Sequence, residues 1–239
     1  MRLDRGMDTT TASLITTFDY VWDRLTSRLN GLTDEEYFWE PVAGCWSLRQ
    51  NNQGRWQLDG GGGGGPAPDP APVTTIAWRL GHLGGLAVGG FADRRFSAGT
   101  LTVAQIDFPP SAAAVPGFLD EHYQNWRAGL AGLSPGEWAS PLGLAWGGYA
   151  ESNTVDLALH VLDEVIHHGA EVGLLRDLYS HRSSLRAEPA RRSTRPLLMR
   201  IFVSVRTLLG IVRGRFACPI ASRFALLAVI SQMSLALKV

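Results

Sequence analysis

The segment LALHVLDEVIHHGAEVGLLRDLY, from Leu157 to Tyr179, decides the fold. Leu157, Val161, Val165, Val172 and Leu175 recur at helical spacing, which at roughly 100° per residue gathers them into an apolar arc about 80° wide. The same segment carries His160, Asp163, Glu164, His167, His168, Glu171 and Asp177. Helical phase sorts these residues. With Glu164 set to zero, the arc centres near 60°, His168 falls inside it at about 40°, His167 lies at about −60° and Asp163 at about −100°. Glu164 sits at the arc's edge, one turn from His168. Two ligands at i and i+4 can grip one metal ion, the spacing that HExxH helices use. Asp163 and His167 offer a competing pair at that spacing, but on the outward side.

Outward from this helix, the rest of the chain also reads as helical. Leu14, Phe18, Val21, Trp22, Leu25 and Leu29 make an amphipathic helix over about 9–30, closed by Asn30-Gly31. Thr33-Asp34-Glu35-Glu36 begins a short turn with acids at its N-terminus. Further helices are expected over about 74–91 and 111–133, and the fourth over about 152–179. Between the first two long helices, residues 59–72 hold six consecutive glycines and then Pro66, Pro68, Pro70 and Pro72, which predicts a flexible loop. Four helices with irregular connections predict an all-α bundle, a fold whose sites are built from inward side chains of facing helices.

A third ligand must come from another helix, and His82 in TIAWRLGHLGGL is the candidate. Gly81, Gly84 and Gly85 flank it and permit close helix approach. Three protein ligands would leave one position for water or substrate, the pattern of a catalytic zinc site. On the residues alone two readings stay open. Glu164 and His168 form either a ligand pair or an ordinary buried ion pair or surface face, and His82 is either the third ligand or a hydrogen-bonded core histidine. His122 in DEHYQNW reads as a surface residue, and His181 as solvent-exposed. Cys45 reads as a small buried side chain or a reactive thiol. His167, Glu171 and Trp46 are candidates for lining a pocket, with no role assigned.

Composition bounds the function. The chain has 239 residues, 45% of them apolar, enough to bury a core. Its 22 basic and 22 acidic side chains cancel, which argues against a general nucleic-acid binder. The balance is uneven, however. Residues 1–179 carry 11 Arg against 21 Asp and Glu, whereas residues 180–239 carry ten Arg and Lys238 against Glu188 alone. Two cysteines, Cys45 and Cys218, make no disulfide framework, and MRLDRGMDTT shows no hydrophobic leader. A cytoplasmic protein is the expectation.

The order of DRLTSRLNGLTDEEYFWEPVAGCWSLR, TTIAWRLGHL and HVLDEVIHHGAEVGLLRDLY resembles the DinB-like superfamily, which includes mycothiol-dependent maleylpyruvate isomerase. The resemblance covers about residues 10–180. It implies an up-down-down-up four-helix bundle, here residues 8–180, holding a divalent metal, usually zinc or nickel. Many members use three histidines. The thiol-dependent isomerase branch instead looks like His, then Glu and His four apart, and that pattern falls on His82, Glu164 and His168. The resemblance further implies a small-molecule thiol as cosubstrate and transfer or isomerisation on a small electrophile. With 21 Arg to one Lys, a high-GC signature, mycothiol is the more natural thiol. Two features depart from the family pattern: the glycine run at 60–65, and the lack of any match to the isomerase's C-terminal domain.

Residues 181–239 form a basic, apolar extension. In LLMRIFVSVRTLLGIVRGRF, Arg200, Ser204, Arg206, Thr207, Gly210 and Arg213 share about half of a helical circumference, the signature of a basic amphipathic helix. Three readings stand for it: extra helices packed on the acidic bundle, contact with a membrane surface or partner, or sequence past the end of the domain. The uncharged stretch from Phe224 to Leu237 is shorter than the roughly 20 residues a transmembrane helix needs. A homodimer is also compatible with a bundle of this size.

Overall fold

The computed structural model describes residues 9–63 and 68–183. The expectations for residues 184–239, including the amphipathic helix, lie outside the described residues. Among those described, the chain is mostly helical with one short hairpin.

The first helix, α1 (Thr9–Arg28), buries Leu14, Ile15, Phe18, Val21, Trp22 and Leu25 along one face. The short α2 (Asp34–Tyr37) starts where the Thr33 side chain accepts from the Glu36 amide, which satisfies one of the free donors at a helix start. Tyr37 is fully buried and donates its hydroxyl to the Pro109 carbonyl at 3.0 Å. Cys45 is buried as well, and its thiol donates to the Val42 carbonyl. A hairpin follows, with β1 (Leu48–Gln50) antiparallel to β2 (Trp56–Leu58) and Leu48 opposite Leu58. Sequence reasoning did not anticipate these three-residue strands, which are too short to show a period.

The helix expected over 74–91 is one continuous run in three pieces. These are α3 (Ile76–Gly81), a π-helical stretch (His82–Gly90) and α4 (Phe91–Phe96). Thr75 caps its start by accepting from the Trp78 amide. Four of the nine π-helical residues are glycine, so the widened turns carry little side-chain bulk. The helix α5 (Val115–Ala131) closes onto them. A Cβ at Gly84 would lie 2.6 Å from the Phe118 ring, and one at Gly89 would lie 2.4 Å from His122 Nδ1. His122 is accordingly half-buried, edge-on to Phe118 at 4.7 Å, and not the surface residue its neighbours in sequence suggest.

A five-residue helix, α6 (Pro135–Ala139), precedes the long α7 (Thr154–Ser180), which Asn153 and Asp156 cap reciprocally. Helix α1 packs on α7 and on α5, while the run from α3 through the π-helical stretch packs on both α5 and α7. The core between them includes Phe18, Leu80, Leu83, Leu119, Trp126, Val161 and Val165. No helix among the described residues is long and apolar enough to cross a membrane.

Candidate metal centre

Helix α7 presents its chemistry as its phase dictates. His168 is buried, Glu164 and Glu171 are half-buried, and Asp163 and His167 are exposed. The apolar arc packs inward and carries His168 with it. The first residue of the π-helical stretch brings His82 to the same place, half-buried and edge-on to His168, with ring centroids 4.8 Å apart. His82 Nε2 lies 3.3 Å from Glu164 Oε2, and His168 Nε2 lies 3.1 Å from the same oxygen. One ligand atom from each of the three residues lies within 4.8 Å of the others.

The other nitrogen of each ring is already taken. His82 Nδ1 is 2.7 Å from the Gly62 carbonyl oxygen, a contact that requires hydrogen on Nδ1. His168 Nδ1 is 2.6 Å from Glu171 Oε2 and donates likewise. Neutral rings in this tautomer therefore point two Nε2 lone pairs and a carboxylate oxygen at one spot. Three lone pairs facing one another demand positive charge between them. The two separations from Glu164, 3.3 and 3.1 Å, are close to the roughly 3.3–3.6 Å between ligands about 2.0–2.2 Å from a tetrahedral zinc. The protein's electrostatics express the same demand. Where protons on Nε2 meet that demand in place of a metal ion, hydrogen bonds from His168 and His82 hold the Glu164 carboxyl far below the usual carboxylate range. Burial disfavours charge on His168, but hydrogen bonds to Glu164 and Glu171 outweigh it and raise its pKa.

The surroundings hold this geometry. Trp78 stacks parallel to His82 with centroids 5.1 Å apart, and donates its indole N–H to the Asp59 carbonyl at 2.9 Å. The Asp59 carboxylate accepts from the Ser47 amide and from Arg49. The residues that follow, Gly60, Gly61 and Gly62, all take the left-handed conformation, with φ of 64°, 64° and 80°. The indole ring of Trp46 lies against Gly60, 2.4 Å from where a Cβ would stand. At this start of the glycine run the chain makes a turn whose Gly62 carbonyl meets His82. Six like residues in a row carry no sign of which carbonyl will face a histidine, so Gly62 was not readable beforehand. Arg79, three residues before His82 on the same helix, was also missed, although its spacing was available. Its Nε lies 2.9 Å from Glu171 Oε2, but the N–H is not aimed along that line, so the contact is an ion pair and not a hydrogen bond.

His167 stacks on His168 with ring centroids 4.7 Å apart, whereas His160 and His181 stand apart from this centre. His160 is exposed and edge-on to Phe91, and His181 is exposed beyond the end of α7. Trp46 lies against the glycine turn and Trp78. A family model described as the DinB superfamily matches residues 17–172. No curated protein and no solved structure matches the chain.

Proposed function

The chain belongs to the DinB superfamily, and from that premise we propose that it binds a divalent metal, zinc or nickel, through His82, Glu164 and His168 and acts with a small-molecule thiol on a small electrophile. The observation that carries the metal reading is the convergence of two Nε2 atoms on one Glu164 oxygen while both Nδ1 atoms are occupied elsewhere. When bound, such an ion favours the thiolate form of a coordinated thiol and so supplies a nucleophile near neutral pH.

The protein's own part is positioning. Glu164 and His168 stand one turn apart on a rigid helix, and His82 is clamped between the Trp78 ring and the Gly62 carbonyl. Three protein ligands leave coordination room for an exchangeable partner. Thiol-dependent transfer or isomerisation, with mycothiol as the thiol, is supported by the likeness of the His82, Glu164 and His168 pattern to the isomerase branch. The pairing of α1 with α7 and of the π-helical stretch with α5 supports an up-down-down-up bundle as the scaffold.

Elemental analysis of the purified chain tests the metal, beside His82→Ala, Glu164→Ala and His168→Ala. About one equivalent of zinc or nickel, absent from variants that remain folded, is the expected result. A wild-type chain that stays metal-free after incubation with both ions overturns it. Consumption of mycothiol in the presence of a haloaromatic electrophile, by the metal-loaded protein alone, is the expected sign of the thiol reaction.

A further inference from the structure

Glu171 contributes no atom to the three-donor centre, yet its carboxylate is divided between two histidines. Oε2 lies 2.6 Å from His168 Nδ1, and Oε1 lies 3.4 Å from His167 Nε2. His167, His168 and Glu171 could by themselves surround a cation. A cation already occupies that side, however. The Arg79 guanidinium places Nε 2.9 Å from Glu171 Oε2 and Nη1 3.4 Å from His168 Nδ1. A metal ion there would stand against a fixed positive charge, so the two sides of the His168 ring differ in kind. Nε2 faces an unmet demand for positive charge, whereas Nδ1 faces a carboxylate whose charge Arg79 has already balanced.

We propose that Glu171, held by Arg79, is a positioning residue for the metal centre. It fixes the Nδ1–H tautomer of His168 and turns Nε2 toward Glu164, and it thereby sets metal affinity without touching the metal. The proposal rests on the metal reading above. Glu171 lies three residues after His168, so both side chains leave the same face of α7 and the contact is built into the helix. A carboxylate accepting from a ligating histidine stops the ring from flipping and raises the basicity of the ligating nitrogen. For His82 the backbone carbonyl of Gly62 fills that place, which no side-chain replacement can delete. Glu171 is therefore where the outer support of this centre can be removed cleanly.

Zinc affinity of the full-length chain, measured by competition with a chromogenic chelator, tests the proposal on wild type, Glu171→Ala, Glu171→Gln and Asp163→Asn. Glu171→Ala should bind zinc about 10- to 100-fold more weakly. Glu171→Gln should lose less, because its amide oxygen still accepts from Nδ1–H. Asp163→Asn, exposed on the same helix, should match wild type. In cobalt-loaded protein the visible absorption band should move in Glu171→Gln, a change that loss of packing alone does not produce. Should Glu171→Ala fail to fold, Glu171→Gln carries the test. Wild-type zinc affinity and an unchanged cobalt spectrum in folded Glu171 variants would overturn the role of Glu171 and leave the metal centre standing. A wild-type chain that takes up no zinc overturns the centre itself.

Discussion

Glu36 is buried in α2 and faces Arg176 of α7 in a two-pronged pair, with Nε to Oε1 at 2.8 Å and Nη2 to Oε2 at 3.2 Å. Arg176 also donates to the carbonyls of Arg28 and Asn30, so this one guanidinium ties the end of α1 and the loop after it to α7. Glu36→Ala leaves that guanidinium without its counter-ion in a largely buried place, and should destabilise the protein by about 3–5 kcal/mol in urea unfolding. Asp19 behaves differently because it is partly open to water. Burial raises its pKa, but hydrogen bonds from Arg127 and Tyr123 and the Arg127 charge outweigh that, and its carboxyl lies below the usual value. A depressed folded-state pKa means stability that is fully present above the unfolded carboxyl value of about 3.9 and is lost as pH falls through the lower folded value. Asp19→Asn should therefore cut stability at pH 7 and flatten its loss in acid. Urea unfolding at several pH values reads this directly, and a wild-type to variant gap that stays constant down to about pH 3 would contradict it.

Helical elements were legible wherever side chains repeat, and only there. The period of Leu157 to Leu175 placed α7 and put His168 inward, and the buried face of α1 follows Leu14, Phe18, Val21 and Leu25 as spaced. The π-helical stretch was hidden because Gly84, Gly85, Gly89 and Gly90 give no phase to read, and an i→i+5 turn leaves no mark in composition. Those glycines are not equivalent to the ones in α7. Gly84→Ala sets a methyl group 2.6 Å from Phe118 and 2.9 Å from Leu119, an overpacking expected to cost about 1–3 kcal/mol. Gly173→Ala meets Arg28 only at 3.6 Å and should instead stabilise α7 by about 0.5–1 kcal/mol. Thermal unfolding of the two variants should show shifts of opposite sign. Gly62→Ala combines a φ of +80° with a Cβ 3.0 Å from Leu86, so the turn must shift and carry its carbonyl off His82. Zinc affinity should fall about tenfold while helix content holds, as circular dichroism beside chelator competition would show.

On the scale of the whole molecule, His82 and Glu164 are 82 residues apart in sequence, and His82 and Gly62 are 20 apart. The first distance was bridged by the family pattern and by His82 being the one histidine of its expected helix, and the second by nothing in the sequence. A metal held across them would tie the glycine turn, the π-helical stretch and α7 into one unit. Zinc at about 100 times its dissociation constant should then add about 2.7 kcal/mol to folding stability, an increment that chelators remove and His82→Ala abolishes in calorimetry. The interior also settles the fate of Cys45. Burial pushes the pKa of its thiol up, outweighing the opposing charge of Arg49, and the side chain is turned in toward Val42. A protein that handles electrophiles is exposed to alkylation of its own nucleophiles, and thiolates are the first to be lost. Here the sulfur of Cys45 is buried and burial favours its thiol form, so this side chain is shielded from the reagents the protein is proposed to process.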